Sequence, residues 1–344
     1  MKLIKKMMAV AAMTAMALAT SMTTFAQIDK TQGPSQQGAD TPENRLILLR
    51  HQMEQTTDAK AQRQVVRDIA QTGTFVAMMT LGQQLDNVVV AKDAARGIAA
   101  IALAHPEYDG HNTRQLLARS IPFVNGKTRK AIVQRLGQTP VEGYVSHFNG
   151  RDLTGWKGLV ENPIARSRMT AVELAEKQVE ADQRMRNDWR VENGLLAYVG
   201  TGFDNICTVE QYGDFEMLVD WRLDPNGKEP DAGIYLRGTP QVQIWDIART
   251  NVGAQVGSGG LYNNQQNRSI PLCVADNQLG EWNSFYIRMV GDRVTVRLNG
   301  VLVVDNVPLE NYWDRKLLIF PVEQIELQAH GSKVYYRDIY IRRI

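Results

Sequence analysis

Cysteine is scarce in this chain: Cys207 and Cys273 are the only two among 344 residues. They form none of the closely spaced pairs that are typical of zinc sites. The two thiols could form a disulfide in an oxidising compartment. Free cysteine often packs as a small hydrophobic side chain, however, and we therefore favour two separate buried thiols.

The chain also lacks a surplus of positive charge. Its 39 Lys and Arg residues nearly balance 37 Asp and Glu residues, which gives a formal net charge of +2. No run of Lys or Arg is dense enough to follow a phosphate backbone. The sequence therefore predicts no nucleic-acid partner.

Long hydrophobic runs are missing beyond the first residues. Residues 1–6 are basic, residues 7–22 are apolar, and small residues precede Gln27. This pattern predicts a secretory signal peptide over residues 1–26, and its apolar core is shorter than the ~20 residues that a membrane span needs. We expect a secreted, periplasmic protein without a membrane span.

The first part of the mature sequence is helical in pattern. Residues 27–42 are polar, with Gly, Pro and Gln, and predict a flexible leader. Over residues 43–138 apolar side chains recur at helical spacing in short, partly alanine-rich segments. Such paired helices predict an α-helical hairpin stack of HEAT-like character, which a linker at 139–143 joins to the rest.

From residue 144 to residue 344 apolar and polar residues alternate, and Gly, Asn or Asp separate the segments. This alternation predicts antiparallel strands with one buried face. One insertion, at about 169–186, is rich in Ala, Glu, Lys and Gln. Thr170 and Glu173 have the spacing of a capping box at its start, and we favour a solvent-exposed helix over a lid.

An ordered set of short motifs lies in this strand-rich region. In chain order they are FNGRDLTGW from Phe148, GIYLR from Gly233, GEWN from Gly280, LNG from Leu298 and LQAHG from Leu327. Together they resemble the 3-keto-disaccharide hydrolase domain family. The resemblance implies a concanavalin A-like jelly-roll β-sandwich, similar to lectins and glucanases, and hence an α + β multidomain chain.

Strand parity predicts which side chains leave the core. Alternation places Ile234 and Leu236 inside and their neighbours outside. If the strands are neighbours, one polar sheet face carries Asp220, Tyr235, Arg237, Gln243, Gln328 and His330. Amides, an arginine, an acid and aromatic rings suit a sugar ligand, although Asp220 and Arg237 could equally form a cross-strand ion pair.

The sequence shows no paired-carboxylate glycosidase signature, because no E-x-D-x-x-E strand occurs. The resemblance instead implies cleavage of 3-keto-glycosides: the ketone acidifies the C2 proton, elimination breaks the bond at C1, and hydration completes a net hydrolysis. Such a route needs a base, a cation or metal for the enolate, and an acid for the leaving oxygen. Candidates for these catalytic roles are His330, Arg237, Asp220 and Asp246; candidates for substrate binding are Tyr235, Gln243, Trp245 and Gln328.

The sequence leaves two alternatives open. A divalent metal bound by His330 could replace Arg237 as the electrophile. A non-catalytic carbohydrate-binding module, with the helical region docking a partner, would use the same aromatic and amide side chains. An enzyme would need His330, whereas a binding module would tolerate its loss.

Overall fold

The computed structural model describes residues 30–200 and 202–344. The predicted signal peptide, residues 1–26, lies outside the described residues. Residues 30–42 of the predicted leader belong to the described part of the chain. Gly33 donates a backbone hydrogen bond to the carbonyl of Leu272 (2.5 Å), and Gln36 donates one to Val274 (2.7 Å), so the leader is attached to the segment at 272–274.

The helices of the first region follow the predicted spacing. Thr41 caps the first helix by accepting a hydrogen bond from the backbone N–H of Asn44, and Gly73 ends the second in the left-handed region, which glycine adopts without strain. The α-helices are α1 (Pro42–Gln55), α2 (Ala59–Thr72), α3 (Phe75–Gln83), α4 (Ala91–Ala104), α5 (His111–Ser120) and α6 (Gly126–Leu136), with 3₁₀ turns at Pro106–Tyr108 and Ile121–Phe123.

Two antiparallel sheets follow the helical region. Their strands are β1 (Val145–Ser146), β2 (Trp156–Gly158), β3 (Trp189–Glu192), β4 (Leu195–Tyr198), β5 (Ile206–Thr208), β6 (Phe215–Leu223), β7 (Asp231–Leu236), β8 (Thr239–Trp245), β9 (Asn283–Val290), β10 (Arg293–Leu298), β11 (Val301–Pro308), β12 (Glu326–Leu327) and β13 (Val334–Arg343). The larger sheet has the order β11-β10-β9-β6-β13-β4-β3, with β1 beside β13, and the smaller sheet has the order β2-β5-β12-β7-β8. The predicted jelly-roll β-sandwich behind a helical region is confirmed.

The apolar faces of the two sheets meet in one core, because the side chains of each strand alternate. On β6 the core side chains are Phe215, Met217, Val219, Trp221 and Leu223; on β7 and β8 they are Ala232, Ile234, Leu236, Val242 and Ile244. Both cysteines are buried free thiols, and burial raises the pKa of Cys207 to about 12.

The helical region packs on the outer face of the larger sheet. Phe75 of α3 contacts the rings of Tyr144 and Tyr340, with centroids 4.8 and 5.1 Å apart. Arg50 of α1 forms ion pairs with Asp338 and with Asp220, the latter at 3.6 Å. Helices and sandwich therefore share a second hydrophobic cluster, and residues from Thr31 onward form one compact unit.

The insertion contains a short helix, α7 (Pro163–Arg166), and the longer α8 (Ala171–Asp188), which Thr170 and Glu173 begin with a capping box. Gln178 of α8 donates a hydrogen bond to the carbonyl of Gly158 on β2 (2.8 Å), so the helix lies at the edge of the smaller sheet opposite β8. Two further 3₁₀ turns, Thr250–Val252 and Ala254–Val256, follow β8. Among the residues described, no helix combines the length and apolar composition that crossing a bilayer requires.

Candidate active site

The outer face of the smaller sheet forms the floor of a cleft of about 520 Å³. Because β12, β7 and β8 are neighbours and alternate residues point outward, the outward side chains form three rows that run across the strands. The middle row contains Gly233, Gln243 and Gln328. The pairs Asp231–Trp245, Gly233–Gln243 and Tyr235–Glu326 fix the register, and Gln328 donates a backbone hydrogen bond to Gly233 (2.9 Å). The residues that line the cleft are Glu229, Asp231, Tyr235, Pro240, Gln241, Gln243, Trp245, Arg249, Val252, Tyr262, Asn263, Tyr312, Trp313, Gln328 and His330.

One end of the cleft, which we call the polar end, is formed by Asp231, Arg249 and His330. The Asp231 carboxylate lies 3.4 Å from a guanidinium nitrogen of Arg249 and 4.0 Å from Nδ1 of His330. Burial raises the pKa of Asp231, while His330, Gln243 and Arg249 act in the opposite direction. Nδ1 of His330 is buried without a hydrogen-bond partner. The polar end therefore combines a carboxyl group, a guanidinium and an imidazole.

The middle of the floor is held by amide side chains. Gln243, only 2 % exposed, donates from Nε2 to Asp231 Oδ1 (2.7 Å), and Gln241 donates to Oε1 of Gln243. A Cβ at Gly233 would lie 2.7 Å from the side chain of Gln241 and 3.0 Å from that of Gln328. Glycine is required there because both amides close over its backbone.

Tyr235 stands at the opposite end of the floor from Asp231. Burial, with the neighbouring charge of Glu326, raises the pKa of Tyr235 far above its ordinary value, against the effect of hydrogen bonds from Asn205 and Gln328. The phenol therefore keeps its proton at neutral pH. Gln328, whose amide acts on the pKa of Tyr235, belongs to the middle row, so the phenol lies beside that row.

Glu326 lies beside Tyr235 on β12 but is 1 % exposed, and its Oε2 has no hydrogen-bond partner. Burial raises the pKa of Glu326 to about 8. A carboxyl that is neutral in the folded chain and ionised in the unfolded chain stabilises less as the pH rises.

We expect Glu326→Gln to remove a pH dependence of stability. The pKa of Glu326 is near 4.5 in the unfolded chain and near 8 in the folded chain, so between these pH values the folded chain holds one more proton. The free energy of unfolding of the wild type therefore falls by up to about 1.4 kcal/mol per pH unit relative to the variant. Urea unfolding at pH 5, 6, 7 and 8 measures this, with the exposed Glu176→Gln as the control. Parallel profiles for wild type and Glu326→Gln would contradict the assignment.

Aromatic rings form the walls of the cleft. Trp245 donates from its indole N–H to the carbonyl of Gly257 (2.9 Å) and has Tyr262 edge-on at 5.3 Å between centroids. Tyr312 and Trp313 form a second edge-on pair at 5.0 Å, and Trp313 donates to the carbonyl of Gly238 (2.7 Å). Gly238 follows β7, so this second pair stands beside Tyr235; these three rings form the aromatic end.

The structure brings five of the predicted site residues together in this cleft: Tyr235, Gln243, Trp245, Gln328 and His330. Three others lie elsewhere. Asp220 belongs to β6 of the larger sheet, where it contacts Arg337 (3.1 Å) under the helical region. Arg237 sits at the β7–β8 turn with φ 49° and donates to the carbonyl of Pro321 (3.0 Å).

Asp246 is the third predicted residue outside the cleft. Asp246 follows the last residue of β8, so strand alternation no longer determines the direction of its side chain. Its carboxylate accepts a hydrogen bond from the N–H of Ala248 (3.0 Å). It lines a separate small cavity with Trp221 and Asp276. The predicted grouping of Asp220, Arg237 and Asp246 with His330 is therefore wrong.

Sequence reasoning missed Asp231 and Arg249. Asp231 has the same parity as Gly233 and Tyr235 on β7, so strand alternation alone could have placed it on the polar face. Arg249 lies in an irregular segment after β8, and no periodic signal points to it. Its position depends on the path of the loop.

The donor set does not fit a metal site. His330 has only Asp231 as a near carboxylate, and within residues 30–200 and 202–344 no group of three or more His, Cys, Asp or Glu side chains is arranged to hold a metal ion. Protein sites for zinc and similar ions use three or more such donors.

Comparison with known proteins identifies the strand-rich region. Residues 143–342 match the family described as 3-keto-alpha-glucoside-1,2-lyase-like domain. None of the curated proteins matches the chain. A provisionally assigned glycosyl hydrolase from Parabacteroides distasonis ATCC 8503 is 22 % identical with a TM-score of 0.41, over 64 % of this chain and 98 % of that one.

Two further solved structures are similar to parts of this chain. A second provisionally assigned glycosyl hydrolase from the same organism is also 22 % identical, with a TM-score of 0.38, over 46 % of this chain and 91 % of that one. The carbohydrate binding module CBM66 from Bacillus subtilis is 11 % identical with a TM-score of 0.33, over 55 % of this chain and 96 % of that module.

Proposed function

The chain belongs to the family of 3-keto-alpha-glucoside-1,2-lyase-like domains, and from that premise we propose that it cleaves 3-keto-glycosides by elimination across C1 and C2. Its function is carbohydrate-related. The observation that carries this proposal is the polar end, where the Asp231 carboxylate lies 3.4 Å from the Arg249 guanidinium and 4.0 Å from the His330 imidazole along the cleft.

The carboxylates of the cleft do not suit an ordinary glycosidase. Such enzymes place two carboxyl groups on either side of the glycosidic bond. Here Asp231 and Glu229 both approach the same guanidinium, that of Arg249, at 3.4 and 3.9 Å. Both carboxylates therefore belong to the same end of the cleft as His330, and we take this grouping to favour a mechanism that needs a single base.

The elimination needs a base at C2, and we assign that role to His330. A ketone at C3 makes the C2 proton acidic, and His330 takes this proton while the electron pair moves toward the C3 oxygen. The imidazolium that forms lies beside the Asp231 carboxylate, which stabilises its positive charge. Arg249, held by Asp231, provides the positive charge for the enolate oxygen.

The second half of the reaction breaks the bond at C1. The enolate re-forms the ketone, the C1–C2 double bond forms, and the C1–O bond breaks with its electron pair on the leaving oxygen. Tyr235, protonated and beside the middle row, gives that oxygen its proton. Addition of water, with OH at C1 and H at C2, yields the free 3-keto sugar and so a net hydrolysis.

The direct test compares a 3-keto-glucoside with its unoxidised parent. We expect release of the aglycone from the 3-keto-glucoside alone, because only the ketone acidifies C2. Product analysis by chromatography and mass spectrometry measures it. Binding of both compounds without cleavage of either would favour a carbohydrate-binding module, and equal cleavage of both would favour an ordinary glycosidase.

A further inference from the structure

We propose that the aromatic end of the cleft, formed by Tyr235, Tyr312 and Trp313, is a subsite for an aromatic aglycone. The inference rests on the proposed function, because it takes the polar end as the place of the sugar that is cleaved. It adds the chemical class of the leaving group: a phenol or a similar aromatic alcohol.

The length of the floor leaves room for a second ring. Asp231 and Tyr235 are four residues apart on β7, which corresponds to roughly 13 Å along an extended strand. A single pyranose ring held by Asp231, Arg249 and His330 covers only part of this distance. The group attached at C1 therefore extends over the middle row toward Tyr235.

Oε1 of Gln328 and Oε2 of Glu326 are buried near Tyr235 without a hydrogen-bond partner, but other polar groups there are occupied by protein partners. The indole N–H of Trp313 donates to Gly238 (2.7 Å), and the amide of Gln241 donates to Gln243. A second hexose would need partners for several hydroxyl groups, and leaving them unpaired is costly. An aromatic ring needs none, and the ring faces and edges that remain suit it.

The loops that carry these rings are fixed before any ligand binds. Glu310 accepts hydrogen bonds from the backbone N–H groups of Gln265, Gln266 and Asn267 at 2.7–2.9 Å, and it pairs with Arg315 at 3.1 Å. The Arg315 guanidinium lies 5.4 Å from the centre of the Tyr312 ring. Tyr312 is nevertheless 44 % exposed. A large aromatic side chain that is held in place and left open is a preorganised contact surface.

The test measures binding, so that it does not depend on cleavage. Phenyl glucoside, methyl glucoside and a glucose disaccharide of the same anomeric configuration are titrated into the full chain by calorimetry. We expect phenyl glucoside to bind at least about tenfold more tightly than methyl glucoside, as one or two aromatic contacts allow. Tyr312→Ala should reduce this preference to about threefold or less.

Tyr335→Ala is the matched control, because Tyr335 lies on β13 of the larger sheet with Arg222 over its ring at 4.8 Å. It should keep the preference for the phenyl compound. Tightest binding of the disaccharide, equal affinities, or absence of binding would each overturn the inference. Failure of the proposed function would appear separately, as absence of cleavage with the phenyl preference intact.

Discussion

His330→Ala is expected to lower kcat for a 3-keto-glucoside by about 10²–10⁴-fold, the usual cost of losing a general base. His330 lies at the polar end, 4.0 Å from Asp231, and the proposed route has no second base at C2. Its side chain is 37 % exposed, so its removal leaves no large cavity. The melting temperature should therefore stay close to that of the wild type.

His51→Ala provides the matched control. The His51 side chain is 68 % exposed on α1, away from the cleft, and its loss should leave kcat unchanged. Initial rates for both variants, with melting curves for each, make the comparison. A folded His330→Ala variant that retains wild-type activity would remove His330 from the mechanism.

Trp221→Ala is expected to cost about 3–5 kcal/mol of the free energy of unfolding. Trp221 is 2 % exposed in the core between the sheets, with the Phe285 ring 5.5 Å away. Its indole N–H has no hydrogen-bond partner, so the loss is one of packing and apolar burial. Denaturant unfolding monitored by circular dichroism measures the change.

Leu318→Ala is the control for that experiment. Leu318 is 89 % exposed, and surface substitutions of this kind usually stay within about 0.5 kcal/mol. If Trp221→Ala proved as mild as Leu318→Ala, the interpretation of strand parity on β6 would be wrong, and the division into core and outer faces would fail with it.

Strand parity predicted correctly on which face of β6 and β7 the side chains lie, but the prediction that the strands share one sheet was wrong. On β6 it placed Asp220 opposite Trp221, and on β7 it placed Tyr235 opposite Ile234; both are observed. Parity does not tell which sheet a strand joins. Asp220 therefore lies on the outer face of the larger sheet, whereas Tyr235 lies on that of the smaller sheet.

The helical region explains why Asp220 is not a site residue although its strand position predicts one. A polar row on a strand is ordinarily exposed to solvent or to a ligand. Here Asp220 forms ion pairs with Arg50 of α1 and with Arg337 of β13, so its carboxylate is not open to a ligand. Nothing in the periodicity of α1 indicates that it covers a sheet face, because its own stripe of apolar residues is compatible with packing on other helices.

The predictable part of the site is the part that follows regular strands. His330 and Gln328 were found because the LQAHG motif and the alternation around Leu327 agree, and the family that the motifs suggested is confirmed. Arg249 comes from an irregular loop. Arg237, by contrast, was expected on the floor, but the turn after β7 directs it to Pro321. The alternation of side chains along a strand does not continue through turns and loops, so it cannot predict the position of residues such as Arg237 and Arg249.

Deuterium incorporation tests the elimination most directly. Cleavage of a 3-keto-glucoside in deuterated water should yield a 3-keto sugar with deuterium at C2, because water adds to the C1–C2 double bond after the C2 proton has left. The proton at C4 is also next to the ketone, so spontaneous exchange would label both positions, and C4 serves as the internal reference. We predict label at C2 with C4 unlabelled; cleavage that leaves C2 unlabelled would contradict the mechanism.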